Sequence, residues 1–415
     1  MAQTFVEKLF SRKAGKSVTA GAIVSVEPDY VMSHDNAAAI SHTFKKIGIR
    51  QIKYPDRVVI ILDHEIPAPK ESSAVNHKEI RRFIGEQNIS HFFDINHGIC
   101  HQVLVEQGFA APGKLIVGSD SHTTTYGALG AFSAGIGRSE VAAIWATGEL
   151  WFQVPETMKI VVKGKMPPAV TAKDVVLSII GRIKADGADY RAVEFGGEVV
   201  ERMNIAGRMV FCNMAAEMGA KNGCVPPDQL TFDYLKYRAR DDYEALYSDS
   251  DASYADTIEF DVSAISPAVA RPHTVDNYVP IDEVAGQKID QALIGTCTNG
   301  RLEDLEAAAS ILKGRRVKVR TLIIPASWNV YREALKKGVL EIFIDAGAIV
   351  LNPGCGPCLG AHQGVMAPGE VTFSTANRNF RGRMGCREAD IYLGSPLSVA
   401  ASAINGEITH PGRFL

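Results

Sequence analysis

Long hydrophobic runs are missing from this chain of 415 residues: no apolar stretch approaches the ~18 residues that a membrane-spanning helix requires. The opening residues, Met1-Ala2-Gln3-Thr4-Phe5-Val6-Glu7-Lys8, carry no secretory apolar region either, so the expected location is the cytoplasm, with no membrane partner. Charge of one sign is not in excess. The 44 Lys and Arg face 47 Asp and Glu, a net charge of -3, and no basic stripe stands out; nucleic acid is therefore not an expected partner, although local arginines can still hold a small anion. Cysteine is scarce. Seven cysteines, an odd number in a large chain without a secretory signal, argue against a disulfide framework and for free thiols or metal ligands. Low-complexity tracts and fixed-period repeats are also absent. What remains, 46% hydrophobic and 22% charged, is the composition of a globular enzyme of about three domains.

Apolar segments of strand type alternate with helical ones almost throughout, the pattern of α/β layers with largely parallel sheets. Residues 57–62 and 115–118 read as buried strands. The first delivers Asp63, His64 and Glu65 at its carboxyl end, and the second delivers Ser119, Asp120, Ser121 and His122. Ligands of parallel sheets bind beyond those ends. The chain changes character around Val154-Pro155-Glu156, and an alternating strand over residues 158–162 follows. Thr171 and Asp174 then resemble a capping box, ahead of a helix whose apolar face is Val175, Val176, Ile179, Ile180 and Ile183 and which Gly187 is expected to end. Residues 241–256 read as a polar surface excursion and 266–280 as a linker. A βαβ-like series fills the remainder, with strands expected at 291–294, 317–324 and 348–351. The expected domains are residues 1–155, 156–275 and 276–415.

Cys297 lies in Gly295-Thr296-Cys297-Thr298-Asn299-Gly300, between a strand and a helix. Cys355 and Cys358 lie in Asn352-Pro353-Gly354-Cys355-Gly356-Pro357-Cys358-Leu359-Gly360, again just past a strand. Two strand ends thus place three thiols in glycine-rich turns, where the backbone approaches a bulky ligand and unpaired N–H groups favour thiolate. A Cys-x-x-Cys pair by itself also suits structural zinc, with His362 a candidate to complete the set. A thioredoxin-type pair would not need the third cysteine. Three cysteines on an iron–sulfur cube leave one iron without a protein ligand, free to bind a hydroxyl and a carboxylate. Cys100, Cys212, Cys224 and Cys386 lack paired spacing and read as buried structural thiols.

With these motifs, Gly118-Ser119-Asp120-Ser121-His122-Thr123 and Asn377-Arg378-Asn379-Phe380-Arg381-Gly382-Arg383 occur in the order of the aconitase superfamily, which the chain resembles over nearly its whole length. The resemblance implies three α/β/α-layered domains, without the swivelling fourth domain of aconitases proper, as in the large subunits of two-chain relatives. It implies a hydro-lyase that dehydrates and rehydrates a hydroxy di- or tricarboxylic acid: 2-isopropylmalate to 3-isopropylmalate through isopropylmaleate, in leucine biosynthesis, or homocitrate or a dimethylmalate or citramalate type of substrate instead. Cys297, Cys355 and Cys358 would hold a 4Fe-4S cluster with one labile, substrate-binding iron. Asp63, His64, His101, Asp120, His122 and Glu217 match catalytic positions; Ser121, Asn213, Asn377, Arg378 and Arg383 match substrate-binding ones. The family's base, a serine of the swivelling domain, has no counterpart here, so a small-subunit partner is expected to supply it.

The chemistry of those residues agrees. Dehydration needs a proton for the departing hydroxyl, and a histidine beside an aspartate is a suitable acid. Two arginines on a turn can grip carboxylates in a bidentate way. Arg381 reads as a solvated charge, and His34, His42, His77, His91, His97 and His273 as surface or packing residues. His34 and Asp35 lie near a substrate-binding segment of the family, without an assigned role. A cluster-dependent RNA-binding regulator and a zinc protein are the readings from other classes.

Overall fold

The computed structural model describes residues 2–415. Its three main sheets follow the chain in order. The first has five strands, all parallel: His91–Phe93, Val58–Ile61, Tyr30–Ser33, Leu115–Gly118 and Phe132–Gly135. The second has four, also parallel: Asn222–Cys224, Ala192–Gly196, Thr157–Lys163 and Asp256–Asp261. The third has seven: Tyr278–Pro280, Ala268–Ala270, Asp390–Leu393, Val371–Ser374, Gln291–Gly295, Arg320–Ile324 and Ile349–Val350, antiparallel only in the pairings made by Ala268–Ala270. An α/β fold is what alternating strand and helix segments build, because a parallel connection needs a crossover.

Side-chain alternation along the strands explains how the sheets stack. In the first sheet Val31, Val58, Ile60 and Val117 enter one core, with Phe44, Phe83 and Trp145 from flanking helices. Met32, Val59, Ile61 and Ile116 point the other way, into a second core. That second core also takes Met158, Ile160 and Phe195 from the second sheet and Leu293, Leu322 and Leu393 from the third. All three sheets therefore turn one face toward a shared interior. The opposite face of the third sheet packs Ala292, Ile294 and Ile323 against helices Leu302–Leu312, Val339–Ala346 and Pro396–Asn405.

Two expectations need correction. The 266–280 stretch is not a linker: Ala268–Ala270 and Tyr278–Pro280 form an edge of the third sheet, so that sheet begins inside the stretch assigned to the second domain. Short strands rich in proline and polar residues look like loop until a neighbouring strand accepts them. The helix Ala172–Ile183 also stops before Gly187, because Lys184 already adopts a left-handed φ of 75°. The expected excursion is irregular over residues 241–255, with Asp256 already opening a strand, and it is tied down by Ser248 to Glu194 (2.6 Å) and by Asp241 to Tyr30.

No described helix is long and apolar enough to cross a membrane.

Candidate active site

Strand ends bring the expected residues together. In the first sheet, Tyr30–Ser33 leads into His34 and Asp35, Val58–Ile61 into Asp63 and His64, and Leu115–Gly118 into Asp120 and His122. In the third, Gln291–Gly295 leads into Cys297, Ile349–Val350 into Cys355 and Cys358, and Val371–Ser374 into Asn377 and Arg378. Helix Ile205–Met214 and the turn after it contribute Asn213 and Glu217 from the second layer.

The three cysteines are buried, with exposures of 3%, 8% and 1% for Cys297, Cys355 and Cys358, and form no disulfide. Amide donors surround Cys297: Asn213 Nδ2 and Asn377 Nδ2 each lie 3.3 Å from its Sγ. Asn377 also faces Cys358, with 3.7 Å between Oδ1 and Sγ, and Arg383 Nη2 lies 3.6 Å from the same sulfur. Burial pushes the Cys297 thiol up, and it pushes Cys355 up to about 11 against the lowering influence of His64. Burial thus favours the neutral thiols of Cys297 and Cys355, and a bound cation is what would turn them into thiolates.

Among the described residues, His34-Asp35-Asp63-His64 and His101-Asp120-His122 each place their donor atoms within 4.8 Å of one another, whereas the three sulfurs form no such set. One tetrahedral zinc at a Zn–S bond of about 2.3 Å would hold its thiolates only about 3.8 Å apart. The three sulfurs as they stand are not in the arrangement a single tetrahedral zinc would impose on three thiolates.

Acid and base groups form a chain beside the cysteines. His64 Nδ1 lies 2.6 Å from Asp63 Oδ1, and His64 Nε2 lies 3.7 Å from Asp120 Oδ2. His101 Nε2 is 2.8 Å from Asp120 Oδ1, with its Nδ1 3.1 Å from the Tyr126 hydroxyl. His122 accepts no freedom either: its backbone N–H donates to Asp120 Oδ1 (2.8 Å) and its Nε2 lies 2.7 Å from Glu217 Oε1. Burial alone would lower the His64 imidazole, but Asp63, Cys355 and Asp120 outweigh it and raise it well above the ordinary range. Burial likewise opposes ionisation of Asp120, yet His101, His122 and His64 hold that carboxyl well below normal. Arg378 grips Glu217 through Nε at 2.9 and 3.0 Å.

Ser121 alone among the expected residues stands apart from this network, exposed at the start of its turn. Arg381 is exposed, as read; Cys100, Cys212 and Cys224 are buried, as read, but Cys386 is only half-buried. His362 does not complete a metal set; its Nε2 lies over Gly356, where a Cβ would meet it at 1.7 Å.

Some residues left without a role belong to the site. Asp35 Oδ2 accepts the backbone N–H groups of Asp63 (2.9 Å) and His64 (2.8 Å), while Oδ1 accepts from Glu65 N (3.1 Å) and faces His77 Nε2 (2.9 Å). The His34 ring stacks on His64 with 3.7 Å between centroids. Their place next to a strand end was the available hint. Arg301, also missed, donates to the carbonyls of Cys297 and Thr298, both at 2.7 Å. Among the buried polar atoms without a hydrogen-bond partner are His34 Nδ1, Arg383 Nε and His362 Nε2, the condition of groups that await a ligand or water.

Comparison with known proteins gives this geometry its context. The model of the aconitase family (aconitate hydratase) matches residues 7–287 and 282–406. Proteins of that family generally bind a 4Fe-4S cluster, and the three cysteines are present here. A probable 3-isopropylmalate dehydratase large subunit from Methanothermobacter thermautotrophicus is 51% identical over all of both chains. A probable methanogen homoaconitase large subunit from Methanosarcina mazei is 55% identical over 93% of this chain and 99% of its own. Among solved structures, Thermococcus kodakaraensis aconitase X in its holo form shares the fold at a TM-score of 0.50 and 13% identity, covering 90% of this chain and 89% of that one. A family model that spans nearly the whole chain, together with full-length relatives at about half identity, establishes that the chain belongs to the aconitase family.

Proposed function

We propose that this chain is the iron–sulfur subunit of a hydro-lyase that converts 2-isopropylmalate to 3-isopropylmalate through the alkene diacid isopropylmaleate. The observation that carries the reading is the meeting of three buried, unlinked cysteines with the Asp63-His64 and His101-Asp120 pairs beyond the carboxyl ends of parallel strands in the first and third sheets. Cys297, Cys355 and Cys358 would hold a 4Fe-4S cluster. When bound, it supplies an iron with an open position, a Lewis acid for a hydroxyl and a carboxylate.

The chain's own residues do the rest. His64 is the acid: it is held by Asp63, kept protonated by its anionic neighbours, and it is the ring that reaches Cys355. It gives its proton to the departing hydroxyl, and takes one back when water adds in the reverse sense. His101 has both ring nitrogens engaged, by Asp120 and Tyr126, so it serves to orient Asp120. Asn213 and Asn377 donate to Cys297 and hold the thiolate. Arg383, with Nε unpaired, and Arg378, fixed by Glu217, would bind substrate carboxylates, and the exposed Ser121 would contact substrate. The carbon-bound proton goes to a base from a small subunit, which the large-subunit names of the relatives imply as partner.

Homocitrate is the second reading, favoured by the 55% identity to the Methanosarcina mazei relative. The test is anaerobic: reconstitute the chain with iron and sulfide, add the small subunit, and follow alkene formation from 2-isopropylmalate and from homocitrate. Turnover of 2-isopropylmalate supports the proposal. Turnover of homocitrate alone moves the substrate to the second reading, and a chain that takes up no cluster overturns the cofactor assignment.

A further inference from the structure

Lys173 has no exposed surface, and it sits in the first turn of helix Ala172–Ile183, where the helix dipole disfavours a cation. No carboxylate lies within ion-pair distance of it among the described residues. Asp174, the next residue, spends its carboxylate on the N–H groups of Ala268 and Thr171, both at 2.8 Å. Lys173 Nζ instead donates to the carbonyls of Thr375 (3.0 Å) and Ala376 (2.7 Å) and lies 3.8 Å from Met214 Sδ.

Those contacts have a common direction. Ala376 immediately precedes Asn377, and Met214 immediately follows Asn213. These are the two asparagines whose amides donate to Cys297 Sγ, each at 3.3 Å. Lys173 thus stands directly behind both donors. Burial pulls its ammonium down to about 8, while Cys297 and Cys358, and after them Glu217 and Asp304, pull the other way. Arg301 reaches the other flank, on the Cys297 and Thr298 carbonyls, but it has a carboxylate of its own, Asp304, at 4.0 Å. A buried ammonium without a carboxylate is costly unless another anion offsets it. Among the anionic groups that act on it, the cysteine centre comes first, ahead of Glu217 and Asp304.

We infer that Lys173 is a positioning residue: it clamps the segments bearing Asn213 and Asn377 and is the buried counter-charge of the cluster. The inference rests on the reading that Cys297, Cys355 and Cys358 hold an iron–sulfur cluster. A cluster on three thiolates is anionic overall, and a fixed positive charge in a dry interior favours its reduced, more negative state. Lys173 therefore raises the cluster's reduction potential.

The test compares wild type with Lys173→Gln, Lys173→Met and Lys173→Arg, all reconstituted anaerobically and titrated by EPR for the one-electron midpoint potential. Gln keeps a donor for the carbonyls but no charge, Met keeps neither, and Arg keeps the charge. Gln and Met are expected to shift the potential downward alike, by about a tenfold change in the reduced-to-oxidised ratio at fixed potential, and Arg to stay near wild type. A wild-type potential in the Gln or Met variant overturns the inference. Iron and sulfide content of the wild type tests the underlying reading separately, since an empty wild type removes the cluster itself. Should the neutral variants not fold, wild-type protein labelled with 15N-lysine gives the answer. One slowly exchanging Nζ ammonium resonance that moves on cluster loading is expected; its absence, or indifference to the cluster, overturns the inference.

Discussion

The carboxylate of Asp35 lies under the turn that carries His64 and accepts that residue's backbone N–H at 2.8 Å. It accepts the N–H groups of Asp63 and Glu65 as well, so one side chain fixes three successive peptides at the head of the Val58–Ile61 strand. Burial would raise its carboxyl, but His77, His64 and His34 with the backbone donor hold it far below the usual carboxylate range. A depressed folded-state value means that its stabilisation is fully present above the unfolded value of about 4 and is lost as pH falls through the folded one. Asp35→Asn should therefore lower stability by about 1–3 kcal/mol at neutral pH. It should also flatten the fall in stability below pH about 4. Urea unfolding followed across pH checks both, and an unchanged acid limb would refute the role.

His64 is assigned as the acid and His101 as an orienting group, so their substitutions should differ. His64→Asn is expected to retain the cluster yet lose about 10²- to 10⁴-fold in turnover, the usual share of a general acid. His101→Asn should lose less. Turnover normalised to iron content measures this, and a His64→Asn enzyme within a few-fold of wild type would remove His64 from the proton path.

Glu217 is buried, with Arg378 and His122 as its ionic partners. Arg378→Met should cost roughly 3 kcal/mol, because a buried carboxylate then keeps only the imidazole. Adding Glu217→Gln to that variant should recover part of the loss. A double-mutant cycle by denaturant unfolding gives the coupling, and simple additivity would mean that the pair contributes little.

Gly295 sets the direction in which Cys297 leaves its strand. Its φ is 136°, and a Cβ there would lie 2.1 Å from the Ile324 carbonyl oxygen. Gly295→Ala should destabilise the protein by more than about 1 kcal/mol and reduce iron uptake on reconstitution, since neither backbone can yield without moving Cys297. Normal iron content at normal stability would show that the turn has slack.

Much of the site was legible in the linear order. Cys297, Cys355 and Cys358, Asp63-His64 and Asp120-His122 each follow an apolar strand, and in a parallel sheet that alone directs them to one edge. The α/β class followed from the same alternation. The 266–280 stretch was misread because a three-residue strand is recognisable only by its partner, as Ala270 opposite Leu393 shows.

What the sequence determined by itself was which chemistry the chain carries and at which strand ends it is displayed. Only the tertiary structure decided how those groups are held and charged. Asp35, near a substrate-binding segment of the family, has no assignable role until the His64 backbone N–H reaches it from 29 positions away. Lys173 carries no signal of its own in the sequence, and only the folded chain brings it to the carbonyl of Thr375, 202 positions later. The physical reason is common to both: a hydrogen bond or a buried charge is defined by its partner and its dielectric surroundings, and neither is a property of local sequence.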